Sequence, residues 1–289
     1  MNEAMLWSPA ENGAVNCTLC PHNCTIPEGS AGLCGVRRNF DGKLYAESYG
    51  KVSAIALDPI EKKPLYMVHP GKRVLSIGSF GCNLRCPFCQ NSDISMEYTE
   101  ARQNAEMLAP EAVAALALRT VSEGNIGVAY TYNEPLIGYK FVRDCAGLVR
   151  DAGLCNVLVT NGFINREPLE ALLPLIDAMN IDLKGFTQGF YKKLGGNLEA
   201  VKEMIALACQ HCHVEITTLI IPGENDSEEE IAAMAKWIAS LDPEIPLHLT
   251  RFFPRYKYAG RAATPRETIH RLSEVAGQYL KNVFAGNMG

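Results

Sequence analysis

Residues 74–90 read VLSIGSFGCNLRCPFCQ. The first seven are apolar or small, the signature of a buried strand, and a C-x3-C-x2-C cluster of Cys82, Cys86 and Cys89 follows directly. The same pattern of short apolar runs recurs downstream. IGVAYTY (126–132), NVLVTN (156–161), AMNIDLK (178–184), VEITTLI (214–220) and LHLTRFF (247–253) read as five further strands. Between and after them, residues 110–122, 136–152, 167–175, 198–210, 227–241 and 265–280 carry helical spacing. The last begins at a proline, whose missing N–H costs little in a first turn. Strands alternating with helices predict βαβ units, a parallel sheet and right-handed crossovers.

Six such units predict an α/β fold, a partial (βα)6 TIM-like barrel over residues 73–289. A doubly wound open sheet is the alternative that the pattern leaves standing. Residues 1–72 are expected to be a small N-terminal cysteine-rich, metal-binding extension, with lead-in strands over 43–57 and a loop over 58–71. The chain of 289 residues, 47% hydrophobic, suits a large core. A net charge of −5 without any block of Lys and Arg argues against nucleic acid as a partner. No apolar run approaches the roughly 18 residues of a membrane span. The opening MNEAMLWSPAENG lacks a basic start and an apolar core, so the expected location is cytoplasmic. Eleven cysteines in a reducing compartment point to metal or redox chemistry rather than disulfides.

In parallel α/β folds chemistry sits at the carboxyl ends of the strands. The residues there are the three cysteines, Asn133-Glu134, Thr160-Asn161, Asp182 with Lys184, Thr217-Thr218, and His248 with Arg251. Three thiolates can bind three corners of a cubane that otherwise takes four cysteines, leaving one iron open to an amino and carboxylate chelate. A zinc site short of one ligand, or a structural knuckle, is the plainer reading of the same triad.

The spacing C-x3-C-x-φ-C, with Phe88 before the last cysteine, resembles the radical S-adenosylmethionine (SAM) superfamily. Later segments resemble its glycyl-radical-enzyme-activase branch. Asn133-Glu134-Pro135 lies where that branch has Gly-Gly-Glu-Pro, though Tyr132 and Asn133 replace the glycines. Val159-Thr160-Asn161-Gly162 resembles Asp-Thr-Asn-Gly with Val159 in place of the aspartate, and Asp182-Leu183-Lys184 resembles an Asp-x-Lys element. The strings CTLCPHNC, DPIEKKPLY, SFGCNLRCPFCQN, TYNEP, VTNGF, IDLKGF, IPGEND and RFFPRYK resemble the AmmeMemoRadiSam-system radical SAM subgroup over nearly the whole chain. Many members of that subgroup continue past the equivalent of residues 283–289 into a Cys-x-x-Cys tail, which this sequence lacks.

The resemblance implies a [4Fe–4S] cluster on Cys82, Cys86 and Cys89 that cleaves SAM to a 5′-deoxyadenosyl radical. It implies SAM contacts from Phe88, Asn133, Glu134, Thr160, Asn161, Asp182, Lys184, Thr217, His248, Arg251 and Phe253. It also implies an electron donor such as flavodoxin or ferredoxin, with Memo-type and AMMECR-type proteins as partners. The substrate is left open: an unidentified protein or small molecule, a glycyl-radical enzyme, or, on a different footing, no substrate at all if both cysteine groups are zinc sites of an interaction module.

Upstream, Cys17, Cys20, Cys24 and Cys34 form C-x2-C-x3-C-x9-C with turn-forming Pro, Asn and Gly between them. Four thiolates at short spacing suit a tetrahedral S4 site, zinc or an auxiliary iron–sulfur cluster, and His22 is an alternative ligand. Cys209 and Cys212, at a helix-to-strand junction, read as packing residues, and Cys145 and Cys155 as small buried hydrophobes.

Overall fold

The computed structural model describes residues 2–289. Eight strands form one sheet: β1 (Ala54–Pro59), β2 (Arg73–Gly78), β3 (Asn125–Tyr130), β4 (Cys155–Thr160), β5 (Ala178–Asp182), β6 (His213–Ile220), β7 (Leu247–Arg251) and β8 (Val283–Gly286). They lie side by side in chain order. β1 runs antiparallel to β2 and every other neighbouring pair is parallel. Parallel neighbours need long crossovers. These are supplied by α1 (Pro110–Arg119), α2 (Tyr139–Asp151), α3 (Arg166–Leu172), α4 (Leu198–Ala208), α5 (Glu228–Leu241) and α6 (Arg266–Ala276).

All six expected strands and six expected helices are present. Two sheet members extend that reading: the antiparallel β1 on one edge and a seventh parallel strand, β8, on the other. Helix starts follow local chemistry. Ser227 caps α5 by accepting from the Glu230 N–H at 3.1 Å, and Asn197 caps α4 by accepting from Ala200 at 3.0 Å, each a contribution of roughly 1 kcal/mol.

Ahead of the sheet, residues 2–46 form two small antiparallel sheets, one built on Val15–Cys17 and one on Arg37–Phe40 with Lys43–Ala46. The segment between β1 and β2 closes the amino-terminal end of the strands. Its Ile60 and Leu65 are buried with Val74, Ala129, Val157 and Ala178. Glu215 inside β6 accepts from the backbone N–H of Tyr66 at 3.0 Å and Met67 at 2.8 Å, and Asn180 donates to the Pro64 carbonyl at 2.8 Å. Among the described residues no helix is long and apolar enough to cross a membrane.

Candidate active site

At the opposite, carboxyl end of the strands lies a cavity of about 300 Å³. The three cysteines of residues 82–89 line it together with Phe88, Asn133, Glu134, Thr160, Asn161, Asp182, Lys184 and Thr217. They come from, or from just beyond, five successive strands, β2 to β6, so the parallel order of the sheet brings together residues up to 135 positions apart in sequence.

The loop that carries the cysteines is held from several sides. Gly81 has φ +84°, and a Cβ there would come within 2.8 Å of the Cys34 carbonyl oxygen, so this turn admits only glycine. Asn133 spends its amide on the same loop, accepting from the Ser79 N–H at 2.9 Å and donating to the Gly81 carbonyl at 3.1 Å. Asn161 donates to Asn83 Oδ1 at 3.0 Å and lies 3.6 Å from the Cys82 sulfur. Phe88 is buried and stacks on Phe190 at 6.0 Å.

Burial pushes all three thiols up, Cys86 to about 12, with Cys82 and Cys89 raised as well. Left alone they are neutral and unreactive; they ionise when a bound cation takes up their charge. Among the described residues no group of three or more His, Cys, Asp or Glu side chains is gathered closely enough to hold a single metal ion. A cubane places its thiolates on separate irons, so three thiols spread round one cavity suit a cluster better than a mononuclear ion. The donor set fits the cluster that the spacing implies.

Glu134 is the buried acid of the site. Desolvation pushes its carboxyl up to about 7, against hydrogen bonds from the Asn161 N–H (2.8 Å), the Leu136 N–H (3.0 Å) and the Thr160 hydroxyl (2.7 Å). Those three donors occupy three of about four lone-pair positions on the carboxylate, which leaves one on Oε2 for a ligand. Lys184 faces the thiols. Burial works against its charge, yet the Asp182 carboxylate at 2.7 Å holds its ammonium above the ordinary lysine range.

Three expected contacts lie elsewhere. The Cα of His248 is in register with Thr217, but its ring turns to Glu215, at 2.6 Å, and packs against Tyr66 and Phe284. It is a satisfied core histidine. Arg251 donates through Nε to the Thr264 carbonyl and sits over the Phe253 ring, while Phe253 is itself exposed. None of the three lines the cavity. Thr250 does instead, because alternation along β7 puts it on the same inward face as His248 but nearer the mouth.

Tyr132 is a wall that sequence reasoning missed. It takes φ +72°, a strained position for a residue with a Cβ. Its hydroxyl donates to Asp58 at 2.6 Å, and Lys63 lies 4.5 Å above its ring. Burial works against the Asp58 charge, yet hydrogen bonds from Lys62, Lys63 and Tyr132 hold its carboxyl well below the usual range. The loss of glycine from the Tyr132 position was the visible signal; its partner in 58–63 was not.

The four upstream cysteines lie next to this site. Cys17, Cys20 and Cys34 are buried and Cys24 is half-buried. Among the described residues they are not gathered closely enough to hold a single metal ion. Cys209 and Cys212 flank a separate shallow cavity, and burial raises both thiols.

Comparison with known proteins adds a family to this geometry. The family described as the Radical SAM superfamily matches residues 76–235. An uncharacterized protein of Methanocaldococcus jannaschii is 41% identical over 292 residues, covering 100% of this chain and 86% of its own length. The pyruvate formate-lyase 1-activating enzyme of Escherichia coli is 25% identical over 225 residues, 73% of this chain and 90% of its own. Among solved structures, a radical SAM methyltransferase from Sphaerobacter thermophilus shares the fold with a TM-score of 0.57 at 14% identity, over 77% of this chain and 69% of that one.

Proposed function

This chain belongs to the radical SAM superfamily, and from that premise we propose that Cys82, Cys86 and Cys89 hold a [4Fe–4S] cluster at the carboxyl end of the sheet. When bound, the cluster and SAM together supply a reductively generated carbon radical. The chain's own residues do the rest. Glu134 offers its remaining lone pair to the ligand's ammonium, and Thr160 and the Asn161 N–H hold that carboxylate in place. Asp182 and Lys184 face the ligand's ribose and carboxylate, Thr217 lies deeper, and Phe88 packs against the thiol loop. The strands, ending together round one mouth, act as a partial barrel that excludes water from the reacting carbon. In this reading residues 73–289 are the catalytic barrel and residues 1–72 its extension, which carries a second metal or cluster on Cys17, Cys20, Cys24 and Cys34.

The observation that carries the proposal is a single cavity lined by three thiols, an acid with one free lone pair and an Asp–Lys pair. The hydrogen donor is an unidentified protein or small molecule. Activation of a glycyl-radical enzyme is a second reading, favoured by similarity to the pyruvate formate-lyase 1-activating enzyme. It is also favoured by the open sheet, whose edge strands β1 and β8 do not pair and leave lateral room for a peptide loop. A flavodoxin or ferredoxin would be the reductant, the cytoplasm the location, and Memo-type and AMMECR-type proteins, companions of the AmmeMemoRadiSam subgroup, the first partners to try.

The test is reconstitution with iron and sulfide under argon, followed by reduction and addition of SAM. The expected result is a cluster signal that changes when SAM is added, with 5′-deoxyadenosine formed. A colourless protein holding only zinc would instead support a non-catalytic interaction module.

A further inference from the structure

We propose that the loop of residues 251–261, beside the thiol loop, is the docking surface for a small acidic one-electron carrier protein that reduces the centre on Cys82, Cys86 and Cys89. The inference rests on the cluster reading above and deepens it by giving the reductant a place and a charge.

The first observation is charge. The chain as a whole carries −5, yet residues 251–266, RFFPRYKYAGRAATPR, hold five basic side chains and no acidic one. Lys193 joins them through Glu224, which pairs with Lys193 on one side and Arg261 on the other, both at 2.7 Å. Asp93 pairs with Arg255 at 3.2 Å. Set against Arg251, Arg255, Lys257, Arg261 and Lys193, those two carboxylates leave the patch net positive. Aromatic rings hold three of the cations in place. Arg251 lies 4.9 Å from the Phe253 centroid, Lys257 5.4 Å from Tyr256 and Arg261 3.6 Å from Tyr258. Arg255 and Lys257 are exposed, and the Phe253 ring is 39% exposed among them. An exposed aromatic set among cations is the composition of an interface for an anionic partner. The rest of the surface, acidic in sum, repels such a partner, so this patch orients its approach.

The second observation is where the patch lies, and it separates an electron carrier from a passive anion. The loop touches the thiol loop at the residues on either side of Cys89. The Phe253 carbonyl accepts from the Gln90 side chain at 3.2 Å, and the Tyr258 ring packs 6.0 Å from Phe88. Cys89 is the half-buried member of the triad, Cys82 and Cys86 being buried. The opposite flank is covered by the upstream segment. There the Cys34 carbonyl packs on Gly81, the Cys20 thiol meets the Asn83 side chain, and Arg85 donates to the Leu33 carbonyl. Electron transfer falls off steeply with distance, so a carrier protein must stand where least protein intervenes. That place is the surface over Gln90 and Phe253. Neither Arg255 nor Lys257 lines the cavity, so docking there leaves the ligand's own contacts untouched. The step is one electron: the reduced carrier loses one, the centre on the thiols gains one, and no bond or proton moves. A small, salt-sensitive contact suits a partner that must leave after each delivery.

The experiment uses the full chain, assembled anaerobically with iron and sulfide, and an acidic flavodoxin as the probe. Stopped-flow absorbance follows reduction by the fully reduced flavodoxin, and titration calorimetry follows binding of the oxidised form. In R255E/K257E, at low salt, flavodoxin is expected to bind at least about ten-fold more weakly and to reduce the chain at least about ten-fold more slowly. Raising salt to about 0.5 M is expected to slow the wild type several-fold and the variant little. Dithionite, which needs no docking, is expected to reduce both alike and to support equal SAM cleavage. An unchanged flavodoxin rate in R255E/K257E overturns the proposal, whether the patch then captures single-stranded RNA or nothing. A wild-type rate indifferent to salt overturns it too. If R255E/K257E does not fold, R255Q/K257Q serves, with a loss of at least about three-fold expected at low salt. If dithionite reduces no cluster in the wild type, the cluster reading itself falls. A normal dithionite-reduced cluster with an unaltered flavodoxin rate removes the docking surface alone.

Discussion

Glu134 shows how much chemistry one buried carboxyl carries. Because desolvation pushes it up to about 7, it holds a proton in the ligand-free protein below that pH and loses it above. Between about 4.5 and 7 the folded state keeps a proton that the unfolded chain has released, so this group's contribution to stability declines as pH rises through that window. An ammonium ligand needs the ionised form. The rise in melting temperature produced by SAM is therefore expected to be larger at pH 8 than at pH 6, measured by thermal unfolding with and without ligand. Glu134→Gln is expected to bind SAM at least about ten-fold more weakly, in equilibrium dialysis, and to lose most of that pH dependence. The position of Glu134 beside the thiols was readable from its place after the second expected strand. The environment that makes it half-protonated near neutrality was not, because the donors Thr160 and Asn161 come from another strand.

At the scale of elements, alternation told which side chains of β7 face inward but not how far up the sheet each ring reaches. His248 and Thr250 share a face, and only Thr250 reaches the cavity. His248→Ala is accordingly expected to cost about 1–3 kcal/mol in urea unfolding, by leaving Glu215 short of a partner, while SAM affinity changes less than two-fold. β8 went unread because four residues ending in glycine make too short a run to signal a strand. The loop before β2 was visible only as polar sequence, yet it holds a buried ion pair, Asp58 with Lys63 at 2.7 Å. Asp58→Asn strands the Lys63 ammonium in the interior and frees Tyr132 from its strained position. The expected cost is about 3–5 kcal/mol by urea unfolding, with weakened SAM binding in the fraction that folds. Tyr132→Phe keeps the ion pair and is expected to lose only about 1 kcal/mol.

Across the whole molecule, helix–strand alternation made the α/β class and the parallel sheet legible, since period and length are local properties. What escaped was what joins distant segments: the contact of Cys34 with Gly81, and of Cys20 with Asn83. Both depend on where residues 2–46 dock, which no local pattern encodes. Loading with iron and sulfide is expected to raise the melting temperature by several degrees. Acidification is expected to release the metal as the thiolates regain protons, followed by absorbance and iron release.

The segment between β1 and β2, anchored to Glu215 and Asn180, turns the sheet into a vessel with a sealed bottom. If the site works as proposed, nothing would enter through that end, and the nucleoside would have to seat before a reaction partner covers the mouth.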